Sequence, residues 1–227
     1  MAGPGSGPGG GRPESSQTLD RGIRVLEALA GAGDPGGLTV TEIAAALGVG
    51  RPVVYRLVTT LEEHRLVSRA ADGRVRLGLG VSRLASAVTP IVRAEARPVL
   101  RELADAVGAT AHLTIAEGDE ALALVVVEPS WTDFHVAYRS GARHRLDQGA
   151  AGRAILAGRA GSQGPVATDG ELQAGAHGLA VPLGVGAQGA PGGIEASVGV
   201  VSLEPLDART VGPRLLRAAK ALRSVLR

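Results

Sequence analysis

The sequence predicts an α+β protein with two domains: helices closed by a β-hairpin, followed by an antiparallel sheet flanked by helices. Three observations support this prediction. Apolar residues recur with a helical period between residues 18 and 64, an Asp-Gly turn signal follows between two short strand-like segments, and strand-like segments then alternate with helical ones. A chain of 227 residues fits one large or two small domains, and the change of period favours two.

The composition excludes several kinds of site. The chain has no Cys, which rules out disulfides, thiolate metal sites and Cys nucleophiles. A formal net charge of +2 does not by itself indicate a nucleic-acid partner. No apolar run approaches the ~20 residues of a membrane helix, and the Gly- and Pro-rich residues 1–16 lack the apolar core of a signal peptide. We therefore expect a cytoplasmic protein without membrane contact, with a disordered arm over residues 1–16.

The first half of the chain begins with two predicted helices. The first covers residues 18–30 and ends at Gly31. The second begins at Thr39, because Thr39 and Glu42 have the spacing of a capping box, and it ends at Gly48, which can adopt the positive φ of a helix terminus. The apolar stripe expected to face the core from the first helix consists of Leu19, Ile23, Leu26 and Ala30.

A third helix and a hairpin complete this half. Residues 51–64 form the helix, in which Pro52 is tolerated because first-turn N–H groups lack helical partners. Strand candidates at residues 66–69 and 74–77 are joined by a turn containing Asp72-Gly73, a strong hairpin signal. Helices followed by a hairpin in this order are typical of a winged helix-turn-helix, a DNA-binding fold. The third helix has as its apolar stripe Val54, Leu57, Val58 and Leu61.

The second half alternates between periods. A helical stretch covers residues 80–107, and Thr89-Pro90 predicts a break in its middle. Residues 158–175 read as a loop. The predicted strands are residues 111–116, 121–128, 134–138, 179–183 and 195–203, and the predicted helices are residues 149–157 and 208–226. We therefore place a DNA-binding domain at residues 17–80, a linker helix at 81–93 and a sheet domain at 94–227.

Five segments carry a resemblance to a known family: TLDRGIRVLEALA, LTVTEIAAALGVGRPVVYRLVTTLEEHRLVSRAADGRVRLG, ARPVLRELADAVGATAHLTIAEGDEALAL, HRLDQGAAGRAILAG and DGELQAGAHGLAVPL. Through them the chain resembles, from Thr18 to its C-terminus, the IclR family of bacterial transcription regulators. The resemblance implies a regulator that binds double-stranded operator DNA and carries a GAF/PAS-like domain for a small organic effector. It also implies a homodimer or a dimer of dimers, which is a homotetramer.

The chain departs from the family at two places. Between Arg159 and Gly164 the family carries a longer, mostly helical insert that is nearly absent here, and the usual Ser-Thr pair of the recognition helix is Pro52-Val53. The first departure leaves open an alternative, in which the protein is a ligand-independent DNA-binding repressor whose shortened C-terminal domain only forms oligomers.

The expected DNA contacts lie on the outward face of the third helix and on the hairpin. Arg can bind guanine with two hydrogen bonds or neutralise phosphates, and Tyr can donate to phosphate. Exposed arginines can also merely solvate a surface. The candidate DNA-binding residues are Arg51, Pro52, Val53, Tyr55, Arg56, Thr59 and Thr60 on the helix, with Arg69, Arg74 and Arg76 on the hairpin.

The expected effector contacts follow from family motif positions. They are Ala150, Ala151, Thr168, Gly178, Gly199 and Val201. Because this set has few polar side chains, we expect an apolar or aromatic ligand held by backbone groups, or no ligand; tight packing of a helix on the sheet explains small residues equally well. The N–H groups of the 148–152 turn suit an anionic group such as an aromatic acid. Trp131, Phe134 and Tyr138 can cap a ligand or pack in the core.

No metal, cofactor or catalytic activity is expected. His112 and His135 lie on adjacent predicted strands, but no carboxylate is placed to complete a metal site. Asp147 and Glu171 can be read as a carboxylate pair, although such residues more often cap helices or face solvent. The chain shows no nucleophile elbow and no phosphate-binding loop, which argues against an enzyme.

Overall fold

The computed structural model describes residues 16–34, 36–132, 136, 138–185 and 193–226. The arm predicted at residues 1–16 lies outside this part of the chain except for Ser16, and so do Phe134 and His135. The chain divides into two compact units between Ala85 and Ser86.

The first unit contains three helices and a two-stranded sheet. They are α1 (Gln17–Gly31), α2 (Val40–Leu47), α3 (Arg51–Glu63), β1 (Val67–Arg69) and β2 (Val75–Leu77). The predicted capping box is present at α2, where Thr39 and Glu42 each bond the other's backbone N–H, and Gly48 ends the helix with a φ of 67°. Strands β1 and β2 pair antiparallel, and Leu38 bridges to Val75.

The core of the first unit lies between the three helices and the sheet. It is built from aliphatic side chains such as Val25, Ile43, Val54, Val58 and Val75, all of them buried. The stripe predicted for α3 is confirmed for Val54, Leu57 and Val58, which are buried, whereas Leu61 packs against the core partly buried.

The stripe predicted for α1 is wrong except at Leu26, which packs partly buried against the core. Leu19 and Ile23 are 64% and 47% exposed, whereas the buried residues of α1 are Gly22, Val25 and Leu29. The helix carries apolar residues over a wide arc, and helical period alone does not decide which part of that arc packs against α2 and α3.

Helix α4 (Gly80–Val107) is continuous, so the predicted break at Thr89-Pro90 is also wrong. A proline inside a helix removes one hydrogen bond and costs about 3 kcal/mol. The helix continues through Pro90 because both of its ends are held in place. Its C-terminal half buries Ala96, Leu100 and Leu103 in the core of the second unit. At its N-terminus, the Gly80 N–H donates to the carbonyl of Arg65.

The second unit is one antiparallel sheet between helices. Its elements are β3 (Thr110–Glu117), β4 (Glu120–Val127), β5 (Arg143–Arg145), α5 (Gly149–Arg159), β6 (Val166–Asp169), β7 (His177–Val185), β8 (Ile194–Ser202) and α6 (Ala208–Val225). The strand order is β5-β4-β3-β8-β7-β6. Helices α4 and α6 pack against one face through Leu100, Leu215 and Leu222, and α5 covers the other face, where Ala154 meets Ala180.

Two short edge strands were missed, and one predicted strand is not formed at its described residues. β5 lies in a segment without strand periodicity, and β6 lies within the predicted loop at 158–175. Of the strand predicted at 134–138, the described residues Val136 and Tyr138 belong to no strand. Short edge strands depend on pairing with a neighbour rather than on their own pattern, so they leave little periodic signal.

Candidate functional site

The outward face of α3 is a polar surface on a rigid helix. Val54, Leu57 and Val58 fix the opposite face in the core. Arg51, Pro52, Tyr55, Arg56, Thr59 and Thr60 are exposed as predicted, while Val53 is half-buried. The hydroxyls of Thr59 and Thr60 donate to the carbonyls of Tyr55 and Arg56, at 2.9 and 3.2 Å.

The two arginines of α3 are available for an external partner. In the described part of the chain, the guanidinium groups of Arg51 and Arg56 make no hydrogen bond and no ion pair. Arg51 occupies the first turn of the helix, which is the end that reaches base edges when a recognition helix enters the major groove.

The arginines of the hairpin, by contrast, are bonded to the protein. Arg69 Nε lies 3.2 Å from Glu62 Oε2, and its guanidinium lies 5.6 Å from the centre of the Tyr55 ring. Arg74 Nη1 donates to the carbonyl of Gly37 at 2.8 Å, and Arg76 Nε donates to that of Gly36 at 2.9 Å. The bonds of Arg74 and Arg76 join the hairpin to the segment before α2, and that of Arg69 joins it to α3, although each guanidinium keeps further N–H donors.

A cavity of about 240 Å³ lies at the N-terminus of α5, and we call it the α5 cavity. Its size is below the ~300 Å³ at the lower end of ordinary ligand pockets, which suits a single-ring compound. Five of the six predicted effector residues line it, namely Ala150, Ala151, Thr168, Gly178 and Val201. Gly199 is not in the lining. It lies opposite His112 in the β3–β8 pairing, and a Cβ there would lie 2.6 Å from the imidazole, so its hydrogen makes room for that ring.

The lining is more polar than the sequence indicated. Polar side chains outside the six predicted effector residues also line it, and these are His112, Tyr138, Arg143, His144, Glu171 and Gln173. Of the aromatic residues considered as ligand caps, Tyr138 lines the cavity. Trp131 does not: it is 66% exposed, and its Nε1 donates to the carbonyl of Asp105 at 2.9 Å.

One wall of the α5 cavity is an imidazole–phenol cluster. The rings of His112 and Tyr138 meet edge to face with centroids 5.3 Å apart, and His112 Nδ1 lies 3.1 Å from Thr114 Oγ1. Burial, followed by the nearby His144, lowers the pKa of His112 to about 3, so its imidazole is neutral. Burial raises the pKa of Tyr138 to about 12, so its phenol keeps its proton.

Two buried atoms of this wall have no protein partner. They are the hydroxyl of Tyr138, which lies beside the Thr114 side chain, and Nε2 of His144, and neither makes a well-formed hydrogen bond in the described structure. His144 Nδ1 lies 3.0 Å from the carbonyl of Arg145, which assigns the proton to Nδ1 and leaves Nε2 as an acceptor in the neutral ring. Buried polar atoms without partners are uncommon and carry a desolvation cost that a ligand can relieve.

The lining of the α5 cavity also carries a carboxylate at the helix terminus. Glu171 Oε2 accepts from the backbone N–H of Gly149 at 2.8 Å and from Arg153 Nε at 2.9 Å. The first amide of α5, which we expected to be open to an anionic ligand, is therefore bonded to the protein's own carboxylate.

Asp147 and Glu171 do not form a carboxylate pair, because Asp147 binds Arg145 instead, at 2.8 Å. In the described residues no group of three or more potential metal ligands comes together. His112 has His144 and Tyr138 as its neighbours, and His135, with which it was considered for a metal site, lies outside the described residues.

Family comparisons identify the chain. The model of the IclR helix-turn-helix domain matches residues 18–71, and the model of the C-terminal domain of bacterial IclR transcriptional regulators matches residues 85–165, so that together they cover more than half of the sequence. The chain belongs to the IclR family of bacterial transcriptional regulators. Its N-terminal unit is the helix-turn-helix DNA-binding domain of that family.

Curated relatives carry the same description. The HTH-type transcriptional regulator Rv1719 of Mycobacterium tuberculosis is 40% identical over 100 residues, covering 44% of this chain and 37% of that protein. The probable transcriptional regulator SauR of Cupriavidus necator is 33% identical over 150 residues, covering 63% and 57%. KipR of Bacillus subtilis is 32% identical over 121 residues, covering 52% and 48%. The matches therefore span about half the length of these relatives or less, and all three are regulators of transcription.

Solved structures share the fold. IclR from Thermotoga maritima aligns with a TM-score of 0.52 at 20% identity, covering 92% of this chain and 98% of that chain. An IclR homologue from Microbacterium hydrocarbonoxydans, complexed with 4-hydroxybenzoate, aligns with a TM-score of 0.50 at 22% identity, covering 92% and 99%. These likenesses confirm the predicted α+β fold class. Of the helices that the structure describes, none combines the length and the hydropathy of a membrane span.

Proposed function

We propose that this IclR-family protein is a sequence-specific DNA-binding transcriptional regulator whose affinity for operator DNA responds to a small organic effector. The observation that carries the DNA-binding part is the face of α3 with Arg51 and Arg56 exposed and without a protein partner in the described residues. We assign residues 17–80 to DNA binding, 81–93 to a linker helix and 94–227 to effector binding.

The DNA contacts follow from the geometry of α3. Its buried stripe fixes the helix, so the opposite face can enter a major groove with little rearrangement. Arg51 and Arg56 supply forked donors for guanine or phosphate, and Tyr55 supplies a phenol. Since Arg69, Arg74 and Arg76 already bond protein acceptors, we assign them phosphate contact through their remaining N–H groups.

A homodimer, or a dimer of dimers, is the assembly that we propose. On α4, Leu84, Val88 and Ile91 are about half exposed and lie at helical spacing, and on α1 the same holds for Leu19 and Ile23. Apolar stripes of this kind usually mark a protein interface, and a two-fold dimer presents two recognition helices to two half-sites.

The effector site that we propose is the α5 cavity. Its combination of apolar walls, small residues and a few polar groups is that of a small-molecule pocket. The IclR homologue whose structure contains 4-hydroxybenzoate supports a single-ring aromatic compound as the class of ligand.

One observation favours the alternative of a ligand-independent repressor. Helix α5 ends at Arg159 and β6 begins at Val166, so the segment between them is short. A domain with this short connection can serve oligomerisation alone, and the coupling experiment argued in the Discussion separates the two.

The DNA-binding proposal is tested with Arg51→Ala and Arg56→Ala on a promoter fragment that the protein protects from nuclease. Each variant should lose about 1–3 kcal/mol of specific binding free energy, and loss of a phosphate contact should lower the salt slope by about one unit. Arg217→Ala, which removes an exposed arginine of α6, is the matched control and should bind as the parent protein does. Unchanged operator affinity in both α3 variants would contradict the proposal.

A further inference from the structure

We infer that the Glu171 carboxylate already fills the position at the N-terminus of α5 that the anionic group of a ligand would otherwise take. The α5 cavity should therefore bind a neutral hydrogen-bonding ring compound more tightly than the corresponding carboxylate. This inference rests on the proposed effector function and specifies the ligand class of the same site. Four features of the cavity lining lead to it.

The first feature is the occupied helix terminus. The N-terminus of a helix favours a negative group because its first N–H groups lack helical partners and the helix dipole is positive there. Glu171 already supplies that negative charge, and its Oε2 is held there because it accepts hydrogen bonds from the Gly149 N–H and from Arg153 Nε. A ligand carboxylate placed beside it would meet a like charge in a partly desolvated space, which disfavours binding.

The second feature is that the arginine of the described lining is already paired with carboxylates. Arg143 is the arginine of the described lining, and its guanidinium is bonded to Glu117 Oε2 at 2.5 Å and to Glu120 Oε2 at 3.2 Å. These two carboxylates neutralise its charge. The imidazole of His112 is neutral because burial disfavours its protonated form. A ligand anion would therefore find no unpaired positive group among these residues.

The third feature is the pair of unpartnered atoms. The Tyr138 hydroxyl has a proton to donate, and His144 Nε2 has a lone pair that accepts. Together they match a ligand with both an acceptor and a donor, such as a carboxamide or a phenol. The next amides of α5, at Ala150 and Ala151, also belong to residues of the lining, and a neutral oxygen can accept from them without adding charge.

The fourth feature is the size of the space. A cavity of about 240 Å³ admits a single ring with small substituents and excludes larger fused systems. The inferred ligand class is therefore a neutral one-ring compound bearing an amide or hydroxyl group.

The test compares two compounds of nearly the same shape, 4-hydroxybenzamide and 4-hydroxybenzoate, by calorimetric titration of the full-length protein. The parent protein should bind the neutral amide more tightly, by on the order of tenfold or more, the range of one charge-dependent hydrogen bond. Glu171→Gln removes the charge while keeping the shape, and it should reduce or invert this ratio by a similar factor.

The matched control is Glu195→Gln. Glu195 also pairs with an arginine of α5, Arg159 at 2.7 Å, but it is not among the residues that line the cavity. Its replacement should leave the amide-to-carboxylate ratio unchanged. A second variant, Tyr138→Phe, should weaken binding of the amide by about tenfold and change the melting temperature little, because the hydroxyl that it deletes makes no well-formed hydrogen bond to the described residues.

The outcomes separate this inference from the proposed function. Preference of the parent protein for the carboxylate, or an unchanged ratio in Glu171→Gln, overturns the inference while leaving effector binding in place. Binding of neither compound by any variant overturns the inference together with the effector part of the proposed function. Operator binding, measured on the same samples, reports independently on the DNA-binding part.

Discussion

The exposed guanidinium groups of the first unit have two different surroundings, and the difference is set by single hydrogen bonds. Arg74 and Arg76 donate to the carbonyls of Gly37 and Gly36, so each holds the hairpin in place as well as facing solvent. Arg51 and Arg56 have no such partner in the described chain. Residue type and position on α3 or on the hairpin identify all four as candidates, but the acceptors at Gly36 and Gly37 are remote in sequence and leave no local signal.

His112 makes folding stability depend on pH. Its pKa in the folded protein is about 3, mainly because it is buried, against an ordinary value of 6.5. Between these two values the unfolded chain binds a proton that the folded protein does not, so stability falls as the pH drops below 6.5. The loss is about 1.4 kcal/mol per pH unit, which gives about 2 kcal/mol between pH 6.5 and pH 5, and the contribution vanishes above pH 7.

Urea unfolding of the protein at several pH values measures this dependence. His112→Gln should remove this component of the slope below pH 6.5, whatever its effect on stability at pH 7. His64→Gln replaces an exposed histidine of the first unit and should keep the slope. An identical pH dependence in His112→Gln and the parent protein would show that the buried imidazole is not its source.

The candidate site could be predicted from the sequence only in part. Of the six effector residues chosen from family motif positions, five line the α5 cavity. Motif positions can locate them because small residues at a helix–sheet contact keep the same order along the chain. Glu171 and Tyr138 were noted, but their roles depend on contacts that close only in three dimensions, such as the bond from Gly149 N–H to a carboxylate 22 residues away. The lining from β5 was missed because that strand is defined by its pairing with β4.

At the scale of elements, local signals located the helices well and their packing less well. The capping box at Thr39 and the glycine terminus at Gly48 lie where the sequence predicted, because both are local backbone requirements. The buried face of α1 and the continuity of α4 across Pro90 were wrong. Both depend on what the helix packs against, which outweighs periodicity and the cost of one missing hydrogen bond.

The capping box of α2 should carry measurable stability. Glu42 N–H donates to Thr39 Oγ1 at 3.2 Å, and Thr39 N–H donates to Glu42 Oε2 at 2.7 Å. Thr39→Ala leaves the Glu42 amide without its cap and should destabilise the first unit by about 1 kcal/mol. Hydrogen exchange of the α2 amides measures the loss.

The control for this prediction lies on the same helix. Thr41 is exposed in the first turn of α2, and Thr41→Ala should change stability by only a few tenths of a kcal/mol, since alanine has the higher helix propensity. Equal protection of the α2 amides in the Thr39 variant and the parent protein would contradict a stabilising role for the cap.

At the scale of the whole molecule, the two units are joined through one helix. α4 begins in the first unit and ends in the core of the second, so the two units share a single continuous element. A shared helix permits coupling without requiring it. Whether ligand and operator influence each other is therefore a thermodynamic question, to be answered by binding measurements on the full chain.

Coupling must be reciprocal if it exists. A ligand that changes the operator dissociation constant by some factor, commonly about 5 to 150, must have its own dissociation constant changed by the same factor when operator DNA is bound. We expect 4-hydroxybenzamide to change the operator dissociation constant, and saturating operator to change the dissociation constant of 4-hydroxybenzamide, by the same factor, which should differ from one. A factor of one in both directions, for a compound that binds the α5 cavity, would instead support the ligand-independent repressor.

Arg51→Ala separates the two sites in this experiment: it should weaken operator binding and leave ligand affinity in the absence of DNA unchanged, because Arg51 lies on α3 and not in the cavity lining.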